Sequence, residues 1–132
     1  MDDIVINKAE IIRRCLARIN EEFRDDPSRL EDFTIQDSVI LNLLRACEAS
    51  IDLAMHQVAV GHHGIPQNSR DAFDILASNG LITQACAETM KHMVGFRNIA
   101  VHDYQRIQIA ILNAILTRNL TDFESYLHEL TL

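Results

Sequence analysis

The sequence is poor in turn-forming residues, since it has only 4 glycines and 2 prolines. This scarcity argues against a turn-rich all-β sandwich. Long apolar runs are also missing, because the longest are short stretches such as Ile109–Leu112. The sequence therefore predicts no transmembrane segment. The acidic start of the chain lacks the basic residues and apolar stretch of a signal peptide.

Cysteine and basic charge are scarce as well. Three cysteines, an odd number, do not suggest a disulfide framework, so a reducing cytoplasm is the expected compartment. Lys and Arg number 12 against 19 Asp and Glu, which gives a formal net charge of -7. That charge disfavours a protein that coats nucleic acid through its overall charge. Any anion site must therefore be a local patch.

What is present is a globular composition with helical periodicity. Hydrophobic residues make up 48% of the 132 residues and charged residues 23%, which fits a single domain over residues 1–132. The apolar spacing predicts an all-α bundle of four to five principal helices plus short helices. The first predicted helix covers residues 3–24, and the second begins at a cap, Thr34 or Asp37, and runs to about Val60. Ser69 is the expected cap of a short helix over residues 70–78, and a fourth helix begins near Thr83. The last two helices are predicted at residues 104–117 and after a capping box at residues 121–124.

One arginine occupies a position at which the helical pattern predicts an apolar residue. The stripe of the fourth helix runs through Met90 and Met93, and its next position is Arg97. A buried arginine needs a partner or an anion. His102, whose charge can change near neutral pH, follows five residues later. On an unbroken helix the two would differ by about 140° in azimuth. They converge only if the chain breaks between Arg97 and Asp103, or if a second subunit completes the site.

The residues after His102 strengthen the expectation of an anion site. Asp103 is a plausible N-cap for a helix beginning at Tyr104, which would place His102 and Tyr104 at a helix N-terminus. The helix at 104–117 is apolar nearly all round, which is typical of a central or interface helix. The alternative is structural: an Arg–Asp pair and a buried tyrosine that join two helices. Cys15, Cys47 and Cys86, each on an apolar stripe, are expected to be buried core thiols.

The segment Arg97-Asn98-Ile99-Ala100-Val101-His102-Asp103-Tyr104 matches the R-x4-H-x-Y form of the HEPN superfamily motif. With the preceding Met-Val-Gly-Phe and the apolar helix that follows, essentially the whole chain resembles the HepT toxins. These are HEPN ribonucleases paired with an MNT-type nucleotidyltransferase antitoxin.

The resemblance implies a metal-independent endoribonuclease without a cofactor, usually a dimer in which both motifs face one cleft. His102 would be the general acid or base, and Arg97 would stabilise charge on the phosphorane. Asn98 and Asp103 would support them. RNA would be the substrate, and the antitoxin would attach AMP to Tyr104. Two other functions stay open: a non-catalytic nucleotide- or partner-binding subunit of a nucleotidyltransferase, and a purely structural oligomerisation domain.

Overall fold

A computed structural model describes residues 2–132, and this part of the chain contains helices, turns and loops but no strand. The predicted all-α class is confirmed. The α-helices are α1 (Asp3–Phe23), α2 (Phe33–Val60), α3 (Ser69–Ser78), α4 (Gln84–His102), α5 (Ile109–Ala114) and α6 (Leu120–Glu129). Two 3-10 turns, Pro27–Glu31 and Tyr104–Arg106, and a π-helical segment, Ile115–Asn119, complete the order.

Side-chain caps fix where the central helices begin. Asp32 caps α2 by accepting a hydrogen bond of 2.8 Å from the Thr34 amide, so the expected caps at Thr34 or Asp37 are wrong. Asn68 caps α3 by accepting from the Asp71 amide, and Ser69 is instead the first residue of the helix. In both cases the cap lies one or more residues before the predicted position, because the extended residue that precedes the helix carries the acceptor.

The helices α1 and α2 form the long antiparallel pair on which the others pack. Lys8 near the start of α1 pairs with Asp52 late in α2, at 3.1 Å between Nζ and Oδ2. The contact faces are aliphatic and fully buried at residues such as Ile12 and Leu43. All three cysteines are free and buried, as the apolar stripes predict. None of the described helices is both long and apolar enough to cross a membrane.

Residues 109–129 form one continuous helical run rather than two capped helices. The α-helix α5 begins at Ile109, passes through the π-helical segment and continues as α6 to Glu129. The expected start at Tyr104 and the capping box at Thr121 are therefore both wrong. Within α6 the Tyr126 hydroxyl donates to the Ser50 carbonyl oxygen at 3.0 Å, which ties this run to α2.

Candidate active site

Helix α4 carries both Arg97 and His102 and is not interrupted between them. It begins after Thr83, close to the predicted start; the Thr83 side chain accepts from the Cys86 amide, and the helix ends at His102. The expected break before Asp103 is wrong, because residues 97–102 include no glycine or proline and the helical hydrogen bonds continue to the end. In one subunit Arg97 and His102 therefore point about 140° apart.

Arg97 is held by side chains from two other helices. Its Nη1 lies 3.3 Å from Oε2 of Glu48 on α2, and its Nη2 donates to Oγ of Ser69 on α3 at 3.0 Å. Its Nε donates to Oδ1 of Asn98 at 2.8 Å. The side chain is 20% exposed, so this permanently charged group is held by partners without being fully buried.

His102 lies on the surface, in an open cleft of about 400 Å³. Asn98 also lines this cleft, and its side chain accepts the hydrogen bond from Nε of Arg97, so it lies between the two motif residues. Among residues 2–132 no side chain forms a hydrogen bond with the imidazole of His102. The remaining lining residues are Ile99, Asp103, Arg106, Gln108 and Ile111.

Asp103 ends a helix instead of beginning one. Its backbone amide donates to the Ile99 carbonyl oxygen at 2.8 Å, and its carboxylate accepts from Nη1 of Arg106 at 3.4 Å. The residues after it form only a three-residue 3-10 turn, and the side chain of Asp103 makes no cap hydrogen bond there. The expected N-cap role of Asp103 is wrong, and so is the placement of His102 and Tyr104 at an anion-binding helix N-terminus.

Tyr104 presents its hydroxyl at the surface, on the side of α2. The residue is 45% exposed, and its hydroxyl donates to Oδ1 of Asp37 at 2.7 Å. Partial burial, then the hydrogen bond to Asp37 and its negative charge, raise the pKa of Tyr104 to about 12. The phenol is therefore protonated at neutral pH. The alternative of a buried tyrosine joining two helices describes Tyr126, which is fully buried, and not Tyr104.

Exposed apolar side chains lie beside His102. Ile99 on α4 and Ile111 on α5 line its cleft and are 44% and 53% exposed, and Ile109 on α5 is 43% exposed. The opposite side of the same helical run is buried through Leu112 and Leu116. The helix that was expected to be central or at an interface thus lies at the edge of the subunit with one apolar side exposed.

Comparison with known proteins identifies the family. Residues 7–130 match the family model described as ribonuclease HepT-like. The chain belongs to the HepT-like family. It is 50% identical over 127 residues to the mRNA nuclease HepT of Shewanella oneidensis, with 96% of each chain covered. The resemblance that the motif predicted is confirmed.

Solved structures of related proteins confirm the fold of this HepT-like chain. One is a tri-AMPylated HEPN toxin of Shewanella oneidensis in complex with an MNT antitoxin. The similarity there has a TM-score of 0.93 at 49% identity, over 99% of this chain and 98% of that one. A second is a toxin–antitoxin complex with AMP-PNP, with a TM-score of 0.91 at 47% identity over 99% and 98% of the two chains.

Three residues of this HepT-like site were not found from the sequence. They are Glu48, Ser69 and Asp37, and all three contact the motif from elements far away in the chain. Glu48 carries a weak signal, because it stands one helical turn after Leu44 at the edge of the apolar stripe of α2. In the sequence, Ser69 and Asp37 are typical helix caps. Their neighbours in the chain give no indication that they contact Arg97 and Tyr104.

The described residues offer no ligand set for a metal ion. Among residues 2–132 no three His, Cys, Asp or Glu side chains are grouped so that they could hold one. The site instead combines a fixed guanidinium, an imidazole at the surface, and a phenol beside a carboxylate. These groups can transfer a proton, stabilise an anion and accept a transferred group.

Proposed function

We propose that this chain is the toxin of a toxin–antitoxin pair, a metal-independent endoribonuclease that works as a dimer. The observation that carries the proposal is the R-x4-H-x-Y motif, with Arg97 and His102 on the unbroken helix α4, in a chain 50% identical over 127 residues to an mRNA nuclease. The geometry adds that Arg97 and His102 point apart within one subunit, while apolar residues beside His102 are uncovered. A second copy seated on that surface would bring the two motifs into one groove.

The proposed chemistry is cleavage of RNA by its own 2′-hydroxyl. His102 takes the proton from that hydroxyl or gives one to the leaving 5′-oxygen, as a bond from O2′ to phosphorus forms and the bond to O5′ breaks. Arg97 stabilises the added negative charge on the phosphorane oxygens. Asn98 keeps the guanidinium in place. The products carry a 2′,3′-cyclic phosphate and a 5′-hydroxyl, and DNA lacks the nucleophile.

The test is cleavage of RNA by the purified chain in the presence of EDTA. Wild-type protein should cleave and leave cyclic phosphate ends, whereas His102→Ala should lose at least two orders of magnitude in rate. His128→Ala is the matched control, since His128 is an exposed histidine on α6, outside the cleft of His102. Binding of nucleotides or of the antitoxin without any cleavage by wild-type protein would instead favour the non-catalytic subunit. Equal unfolding and inactivity of all variants would favour the structural domain.

The proposed partner is a nucleotidyltransferase antitoxin of the MNT type, which transfers AMP to Tyr104. The chain has 2 tyrosines, and Tyr126 is fully buried with its hydroxyl bonded to Ser50, so only Tyr104 offers an accessible phenol. An AMP phosphate at that position adds an anion beside the motif and blocks RNA. We place both partners in the cytoplasm, where the RNA substrate is found.

Intact-mass measurement tests this modification. Wild-type chain incubated with ATP and the active antitoxin should gain the mass of one or more AMP units, and Tyr104→Phe should gain none. Full neutralisation of the wild-type chain without any added mass would show that the antitoxin acts by occlusion instead.

A further inference from the structure

Two arginines on the face formed by α1 and α2 have no carboxylate partner. Arg14 and Arg45 are exposed, and within residues 2–132 no carboxylate oxygen lies within 4.0 Å of either guanidinium. Both line an open cleft of about 450 Å³. A third arginine, Arg18, also lines it but is paired with Glu21 and Glu22 at 3.0 Å and 3.1 Å. The other lining residues are Ile11, Cys15 and Asn42.

Arg14 of α1 and Arg45 of α2 line the arginine cleft together with the buried Cys15. Burial raises the pKa of the Cys15 thiol, and the charges of Arg45 and Arg14 act against that rise. Such a concentration of positive charge is notable in a chain whose net charge is -7. Unpaired neighbouring guanidiniums repel each other, and an anion between them would remove that repulsion.

The arginine cleft lies next to the proposed active site. Arg45 precedes Glu48 by three residues on α2, so their side chains are neighbours on the helix surface. Glu48 in turn contacts the guanidinium of Arg97 at 3.3 Å. A chain-like ligand bound in the arginine cleft could therefore cross the exposed side of α2 and reach the motif.

The lining chemistry indicates which ligand fits. The arginine cleft contains guanidinium groups, an amide and aliphatic or thiol side chains, but no aromatic ring on which a base could stack. It therefore suits phosphate groups and does not read bases. An acidic protein surface is the other polyanion to consider. Protein interfaces bury an apolar core, however, and the exposed side chains of this cleft are charged.

We propose that the arginine cleft binds backbone phosphates of the RNA strand outside the scissile bond. The proposal rests on the ribonuclease function given above. It assigns a substrate-binding role to Arg14 and Arg45. This role could not be inferred from the R-x4-H-x-Y motif. Such a contact is independent of sequence and positions the strand before cleavage.

The test measures RNA binding as a function of salt. His102→Ala protein is titrated with a single-stranded RNA of about 20 nucleotides, with and without the added pair R14Q and R45Q. Loss of two phosphate contacts should weaken binding and flatten the slope of log K against log salt by about 1.4. The pair R14K and R45K should keep the slope, because lysine retains the point charge.

The matched control removes the same charge elsewhere. R24Q with R118Q lowers the net charge equally, and neither residue lines the arginine cleft, so the slope should stay at the parental value. Thermal unfolding should agree for all variants, since all four substituted side chains are exposed.

Three results would overturn the proposal. If the slope is unchanged for R14Q and R45Q while wild-type protein cleaves RNA, the chain is a ribonuclease but its arginine cleft does not bind the RNA. An unchanged slope with loss of the antitoxin complex would assign the cleft to the antitoxin. Absence of both RNA cleavage by wild-type protein and RNA binding by His102→Ala would reject the ribonuclease and the cleft together.

Discussion

At the scale of single residues, the site depends on how its charges are paired. Arg97 is partly buried and is held by Glu48, Ser69 and Asn98, so its position is fixed before any substrate arrives. Preorganised charge stabilises a transition state without reorganisation during the reaction. Glu48 therefore positions Arg97, although its own charge reduces the local positive potential.

Glu48→Ala tests this positioning role. The variant should lower kcat by roughly tenfold to a hundredfold, because a guanidinium free to move no longer meets the phosphorane oxygens. Glu48→Gln should lose less, since its amide oxygen can still accept from Arg97. Glu88→Ala, which removes a surface glutamate paired with Lys91 at 3.0 Å, is the matched control. An unchanged kcat in Glu48→Ala would show that Arg97 needs no such support.

Asp37 sets the state of the Tyr104 phenol. The pKa of Tyr104 is raised to about 12, with partial burial as the first cause and Asp37 as the second. In Asp37→Asn the pKa should fall but stay above its ordinary value of 10.0, which titration of the tyrosinate absorbance measures. The buried Tyr126 titrates later, because burial raises its pKa well above the ordinary value. An identical titration curve in Asp37→Asn would contradict the contact.

The same shift predicts a pH dependence of stability. A folded-state pKa above that of the unfolded phenol means that the contribution of Tyr104 is fully present below pH 10.0. It is lost as the pH rises through about 12. Tyr104→Phe should show a smaller decline in stability over this alkaline range than wild-type protein, as followed by denaturant unfolding. If the free energy of unfolding falls equally with pH in Tyr104→Phe and wild-type protein, Tyr104 does not cause the decline.

At the scale of the elements, the sequence predicts helices well and their junctions poorly. The apolar stripes place α1 to α4 within a few residues, because a long buried face leaves a strong period. The turn at residues 104–106 has no glycine or proline, so the chain reads as helix while it forms a 3-10 turn. The predicted break between Arg97 and Asp103 was required only to bring Arg97 and His102 together in one subunit. Because α4 is unbroken, the two side chains do not converge within one chain. The remaining possibility is that a second subunit completes the site.

Helix α3 matters because it delivers Ser69 to Arg97. A Cβ on Gly95 of α4 would lie 3.2 Å from Nη2 of Arg70, so the Arg70 side chain of α3 extends to the surface of α4. Asn68→Ala removes the cap of α3 and should lower the free energy of unfolding by about 1 kcal/mol. Asn68→Asp should keep most of it, since aspartate also accepts at this position. Urea unfolding with equal m-values checks the change, and no loss in Asn68→Ala would contradict the capping role.

At the scale of the whole molecule, the proposed function requires more than one copy of the chain. Within one copy Arg97 and His102 diverge, and the apolar surface at Ile99 and Ile111 remains uncovered. The sequence indicated the family and the motif residues but not the contacts from α2 and α3, because these depend on packing between segments distant along the chain. The assembly that would complete the site follows from the exposed surface rather than from the motif.

Charge placed on this surface should prevent assembly. Ile99→Glu with Ile111→Glu should give a monomer in light scattering and remove RNA cleavage, while helical content stays unchanged because both side chains are already exposed. Ile65→Glu, at an 84% exposed isoleucine in the loop before α3, is the matched control and should remain a dimer. A double variant that is still a dimer would place the interface elsewhere.

Mixing two inactive subunits tests the central claim most directly. Arg97→Ala and His102→Ala proteins should each be inactive, but in a mixed dimer one centre can pair the Arg97 of one subunit with the His102 of the other. Random exchange in an isologous dimer should then restore about a quarter of wild-type cleavage. Mixed dimers that form, as native mass spectrometry shows, and yet cleave no RNA would contradict a site shared between two subunits.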